Sequence, residues 1–146
     1  MGEHTKNVSF RIYDYSVDLA LNEHLTLING DSGIGKTLIY NYFDRQSYTN
    51  KDIKCFNSRY VEKTFKSSKE FRDRLSKIRG ALIVIDNADV VLDNDIKEQI
   101  VYDKYNTYIL FGRNVDNLWI TEYNIAALER NDDTKQLRLN FYFKGV

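Results

Sequence analysis

Two hydrophobic patterns take turns along this chain. Apolar and polar positions alternate in Val8 to Tyr13 (VSFRIY) and Val17 to Leu21 (VDLAL), the period of a half-buried strand. With Asp14, Tyr15 and Ser16 between them, these stretches predict an antiparallel hairpin. Leu25 to Asn29 (LTLIN) reads as a further strand that opens on an apolar run, Ala81 to Ile85 (ALIVI) is a continuous apolar run, as expected for a strand covered on both faces of a parallel sheet, and Tyr108 to Phe111 (YILF) reads as another buried strand. Between them the period changes. Ser67 to Arg79 places Phe71, Leu75 and Ile78 on one helical stripe, opens with a Ser67/Glu70 capping box and stops at Gly80. Further helices are predicted from about Gly35 to Gln46 and from Asp93 to Tyr102, the latter capped by Asp93 or Asn94. Ile53 to Asn57 reads as a short strand after the turn Asn50-Lys51-Asp52. Near the end, Leu118 to Tyr123 and Leu137 to Phe143 alternate on either side of a polar turn, Arg130 to Thr134. They predict two late strands paired as an antiparallel edge hairpin. The sum is a single α/β domain over 1–146: a mostly parallel sheet with helices on both faces and antiparallel strands at the N- and C-terminal ends.

Composition narrows the classes. The chain has 146 residues, 42% hydrophobic and 14% aromatic, with formal net charge +0, enough to build a folded core. Zero net charge supplies no global field for polyanions, so nucleic acid is not indicated. The apolar runs are far too short for a membrane span. The polar start, MGEHTKNVSF, has no signal-peptide core, and Lys6 stands where a myristoylation signal takes Ser or Thr. Cys55 is the one cysteine, which excludes an internal disulfide and suits a reducing, cytoplasmic setting. His4 and His24 are scattered and make no zinc pattern with it. The absence of proline and the abundance of Asn, Lys, Ile and Tyr match the bias of an AT-rich genome, such as a low-GC bacterium or its mobile elements.

The chemistry concentrates after the third predicted strand. Gly30-Asp31-Ser32-Gly33-Ile34-Gly35-Lys36-Thr37 fills G-x-x-x-x-G-K-[ST] at every fixed position, between an apolar strand and a helix-compatible stretch that begins at Leu38. Glycines let the backbone wrap phosphate, and successive N–H groups with the helix N-terminus form an anion nest. Lys36 is placed to reach the β/γ-phosphates, and the Thr37 hydroxyl to ligate Mg2+. The stretch resembles the Walker A loop of P-loop NTPases, whose fold is a three-layer sandwich. The nucleotide contacts then implied run from Gly30 through Leu38.

ALIVID, ending at Asp86, is similar to a Walker B strand, in which the carboxylate serves the magnesium ion. Asp86-Asn87-Ala88-Asp89 resembles the D-E boxes of the ASCE group of P-loop ATPases, with one departure. Asn87 stands where a water-activating Glu belongs, and an amide cannot accept that proton. Asp89, one turn on, is the nearest carboxylate to substitute; Asn87 is left to position a water. The resemblance also puts YILF between the Walker A and Walker B strands, with Arg113 or Asn114 offered to the γ-phosphate; the alternative is a solvated turn. The early hairpin is similar to the start of ABC-type ATPases, which implies an adenine-stacking aromatic, here Tyr13 or Tyr15. The chain departs from that class too. Lys36 and Asp86 are too close in sequence for a helical subdomain, and there is no L-S-G-G-Q-like signature. The motifs of GTPases are absent.

The expected function is an ATP–Mg-binding protein with weak or absent ATPase activity, acting as a nucleotide-dependent regulator or partner of another protein. Two alternatives stand beside it. One is a small P-loop kinase, with Arg72, Arg74 and Arg79 as candidate phosphate contacts. The other is an inhibitor encoded by a mobile element or phage that holds ATP as a structural ligand.

Overall fold

The computed structural model describes residues 5–29, 35–113 and 122–142. They form an eight-stranded mixed sheet with five α-helices. A hairpin comes first, β1 (Thr5–Ile12) and β2 (Tyr15–Asn22), followed by β3 (Leu25–Asn29) and α1 (Lys36–Ser47). Then come β4 (Ile53–Phe56), α2 (Ser58–Thr64), α3 (Ser68–Ser76) and β5 (Leu82–Ile85). The chain continues with α4 (Ala88–Val91), α5 (Asn94–Tyr102), β6 (Thr107–Phe111), β7 (Ile125–Asn131) and β8 (Gln136–Phe141). Across the sheet the order is β1-β2-β8-β7-β3-β6-β5-β4. From β7 to β4 every neighbouring pair is parallel. The antiparallel pairs are β1–β2 and β7–β8, joined to each other by a short parallel β2–β8 contact.

Burial follows the strand type. All residues of β5 and β6 are buried, and so are the first four of β3. Such strands need cover on both faces. Alternate residues of β5 supply the two cores: Leu82 and Val84 pack with Ile39, Tyr40 and Phe43 of α1, while Ile83 and Ile85 pack with Phe71 and Leu75 of α3 and Ile96 and Ile100 of α5. β2 buries Val17, Leu19 and Leu21 on the α1 side and exposes Asp18 and Ala20. That end of the sheet reaches α1 through Phe10, whose ring stacks on Tyr42 at 3.8 Å and 3°.

The helix starts follow local chemistry. Ser67 accepts from the Glu70 N–H (3.2 Å), and the Glu70 carboxylate reaches back to the Lys66 N–H (3.4 Å), close to a capping box in form. Asp93 accepts from the Ile96 N–H (2.9 Å), which decides the cap of α5. α2 was not expected. Asn57, read as the end of a strand, accepts from the Tyr60 N–H (2.8 Å) and starts a helix instead. The late hairpin also differs from expectation. Its strands are β7 and β8, and it lies inside the sheet between β2 and β3 rather than at an edge. Ile125-Ala126-Ala127-Leu128 lacks strict alternation because its first residues pair directly with β3 in the buried region. The stretch Leu118 to Tyr123 lies mostly outside the described residues, and Glu122–Asn124 is a 3-10 turn.

At the amino ends of the central strands a polar network closes the core. Asn106 accepts from the Ala81 N–H (2.9 Å) and donates to the carbonyl of Ile78 (2.9 Å) and to Asp103 (2.8 Å). The buried Tyr108 hydroxyl donates to the same carboxylate at 2.5 Å. Burial alone would raise the Asp103 pKa, but the bonds from Tyr108, Asn106 and the Tyr105 N–H outweigh it and hold it below the ordinary value. A carboxyl whose folded pKa is depressed adds stability above its unfolded pKa of about 3.9, and loses it as pH falls through the folded value. Asn106→Ala is expected to cost about 1–3 kcal/mol in denaturant unfolding, since it leaves buried partners unpaired. Asp103→Asn is expected to be less stable than wild type at neutral pH, with the gap closing below about pH 4.

Candidate functional site

The carboxyl ends of β3, β6 and β5 lie side by side, the place where open α/β sheets present their sites. Each end delivers one part of the candidate constellation. β3 ends at Asn29, whose side-chain amide donates to the Tyr142 hydroxyl (2.8 Å). Gly30, Asp31, Ser32, Gly33 and Ile34 lie outside the described residues. Gly35 precedes α1 with φ +134°, a conformation that strains any L side chain. Space is not what demands glycine there: a Cβ would meet Leu137 at an ordinary 3.5 Å. Lys36, Thr37 and Leu38 form the first turn of α1, Lys36 half-buried and the other two exposed.

β5 ends at Asp86. Burial raises the pKa of this half-buried carboxyl; the Asn87 N–H (3.0 Å) and the nearby Lys36 ammonium pull it down, Asp89 pushes it up, and the net shift is upward. Lys36 and Asp86 are therefore electrostatic neighbours although 50 positions separate them. Asn87 adopts the left-handed conformation (φ 53°, ψ 47°), which asparagine tolerates better than most residues. Its side chain donates to the Ser58 hydroxyl (3.3 Å) and its carbonyl accepts from Val90 and Val91. The amide is thus tied to the start of α2. Asp89 is exposed on the first turn of α4, and its carboxylate packs on the end of β6. A Cβ on Gly112 would lie 3.0 Å from Asp89 Oδ1 and 3.3 Å from the Asp89 N atom. Arg113 follows as an exposed residue, and Asn114 lies outside the described residues.

Pattern reading missed Tyr40. It sits one turn beyond Lys36, buried, edge-on to Phe111 at 6.5 Å and hydrogen-bonded to Asn57. Burial raises its pKa, with Cys55 and Asp44 and, least of all, Asp86 adding to the shift, so it is a neutral phenol. The signal was its i+4 spacing from Lys36 on one helix face. Cys55, on β4, is pushed up to about 12 by burial and by Asp44, which keeps it a protonated thiol rather than a nucleophile.

The two early tyrosines lie at the β1–β2 turn; Tyr15 packs against the same core cluster as Leu137, the side chain that a Gly35 Cβ would meet. β7 extends four residues past the point where Ala127 pairs Asn29, about 13 Å at strand rise. The β7–β8 and β1–β2 turns meet there. Tyr13, at φ 54°, is 84% exposed. Tyr15 donates to Asp132, and its ring lies 5.4 Å from the Arg130 guanidinium and 5.2 Å from the Lys135 ammonium. The arginines weighed for phosphotransfer belong to α3 and its C-terminal end, on the sheet face opposite α1. Arg72 pairs with Asp95 (3.3 Å), and Arg79 lies over the Tyr105 ring (4.3 Å).

No protein-family model matches this chain, and no curated protein matches it. No helix among the described residues is long and apolar enough to cross a membrane.

Two substitutions read this geometry. Asp86 pays a burial cost as an anion, because its folded pKa is raised; that cost is present at neutral pH and vanishes as pH falls below the unfolded value of about 3.9. Asp86→Asn is expected to raise the thermal midpoint of the nucleotide-free protein at pH 7, with the gain fading towards pH 4. Gly112→Ala is expected to lose about 1–3 kcal/mol by overpacking against Asp89, and Asp89→Ala in the same chain to recover part of it. Both are read by chemical or thermal unfolding.

Proposed function

We propose that this chain is a P-loop nucleotide-binding protein of the ASCE type, with the three-layer sandwich of that superfamily, which holds ATP–Mg and turns it over slowly or not at all. One observation carries the reading: β6 lies between β3 and β5, and Lys36, the first residue of α1, is near enough to Asp86, which follows β5, to favour its charged form. That strand order, with a lysine at the start of the helix after β3 and a carboxylate after β5, is the arrangement the proposed site needs. Helices covering both faces of the sheet support the same assignment.

Gly35, Lys36, Thr37 and Leu38 bind phosphate through the helix start, with Lys36 supplying the mobile cation. The Thr37 hydroxyl and Asp86 carboxylate are hard oxygen donors. That set fits magnesium, which takes one or two protein oxygens and completes its shell with water and substrate phosphates. When bound, the ion neutralises charge developing on the β- and γ-oxygens. The lysine beside Asp86 favours its charged form, the form an ion requires.

Asn87 argues for slow hydrolysis. Its amide offers no base, and its side chain is already engaged with Ser58. Asp89 is the nearest carboxylate and is the proposed substitute for whatever turnover occurs. A protein that keeps nucleotide without consuming it acts by binding, so a protein partner is part of the proposal.

The deciding measurement is thermal unfolding with and without ATP–Mg. Wild type is expected to gain about 4 kcal/mol at a thousand-fold excess over Kd, and Lys36→Ala to gain nothing. The reading fails if wild type shows no shift, or if Lys36→Ala shifts equally. Turnover is expected far below the roughly 1 s⁻¹ floor of ordinary enzymes, with the residue lost in Asp89→Asn.

A further inference from the structure

Charge is segregated along this neutral chain. Between Ser58 and Arg79 there are eight Lys and Arg against three Asp and Glu; between Asp86 and Asp103 there are six Asp and Glu against one Lys. The fold brings both segments to one side. α2, α3, α4 and α5 cover the same face of the sheet, and α3 lies beside α5, joined by Arg72–Asp95 (3.3 Å) and by Gln99 donating to the Arg72 carbonyl (3.0 Å). The result is a basic stripe on α2–α3 next to a smaller acidic one of Asp89, Asp93, Asp95 and Glu98, since Asp86 is half-buried and Asp103 belongs to the polar network with Tyr108. On the basic side Arg59, Lys63, Lys66, Lys69, Arg74 and Lys77 are exposed, and the described residues give them no ion-pair partner. On the acidic side Asp95 and Glu98 are exposed. The same layer exposes Tyr60 (44%), Val90 (69%) and Tyr102 (73%).

We propose that this helical face is a self-association surface, on which the basic α2–α3 stripe of one copy meets the acidic α4–α5 stripe of a second copy. A two-fold axis running between α3 and α5 brings each stripe onto its opposite twice, which is the self-complementarity that an isologous dimer needs. The exposed Tyr60 and Val90, towards one end of the layer, and Tyr102, at the far end of α5, then gain apolar cover from the second copy. A long polyanion would match the lysines but would run onto the carboxylates of α5 and leave Val90 and Tyr102 wet. Opposite charges set the register and hasten encounter. The inference is independent of the nucleotide reading.

The test is sedimentation velocity of the full chain without nucleotide, at about 50 mM and about 500 mM salt, conditions that span weak and strong screening. Wild type is expected to be dimeric at low salt and to shift towards monomer at high salt. The double variant Lys69→Glu/Lys77→Glu is expected to lose the dimer, and so is Asp95→Lys/Glu98→Lys. An equimolar mixture of the two is expected to restore it, because each reversed stripe then faces its opposite. That recovery separates lost association from lost folding. A wild type that is monomeric at both salts overturns the proposal, as does a dimer indifferent to salt and to both variants. It is also overturned if the mixture stays monomeric, or if wild type remains monomeric while a single-stranded oligonucleotide binds it through the same lysines.

Discussion

Everything in this fold depends on β3 being enclosed. It hydrogen-bonds to β6 on one side and β7 on the other, and four of its five residues are buried. A strand held on both edges and both faces cannot slip register without moving Leu25 and Leu27 from one core to the other and Ile28 back in exchange. That rigidity fixes where the chain leaves the sheet after Asn29. The same parallel register aligns Ile28 with Phe111 and Leu110 with Ile85. The exits of three strands therefore fall in one row, and the residues after them need no interaction of their own to be brought together.

Stability and chemistry pull against each other at Asp86. The strand before it is wholly buried, which anchors its position but also strips water from the carboxyl. Lys36 and the Asn87 N–H return only part of that cost. The carboxyl is therefore held above its ordinary pKa by the same burial that fixes its position. Asn87 adds a backbone constraint in the same direction: its left-handed turn folds its own N–H back onto Asp86 while its side chain reaches Ser58. Such local strain persists only where the surroundings over-determine it, and here α2, α4 and β5 all hold the turn.

The core strands were legible because their signal is burial itself. ALIVI and YILF can be nothing but enclosed, and the caps at Ser67 and Asp93 speak through local hydrogen bonds that spacing alone can reveal. The misreadings share a different cause. Asn57 looks like any polar strand end until a helix follows it, and α2 has too few buried residues to announce itself. β7 pairs with the central strand rather than with solvent, and pairing choice is non-local, so IAALERN carries no sign of its place between β3 and β8. The candidate site divides in the same way. Lys36, Thr37 and Asp86 are readable as motif positions. Tyr40, the Ser58 bond to Asn87 and the contact of Gly112 with Asp89 are products of packing between elements far apart in sequence.

Segregated charge has a consequence for the site as well as for the surface. The acidic segment begins at Asp86 and Asp89, just past the carboxyl end of β5, and the basic segment begins at Ser58, which is hydrogen-bonded to Asn87. The boundary between the two stripes thus starts at that strand end and runs along the α3–α5 seam through Arg72 and Asp95. Asn87 is bonded to both helices that start here: its carbonyl accepts from Val90 and Val91 of α4, and its side chain donates to Ser58 at the start of α2, which Asn57 caps. A short helix of four residues such as α4 has few bonds of its own. The bond from Asn87 to Ser58 thus ties the residues that follow the buried strand β5 to the start of α2, the one helix of the five with no buried residue.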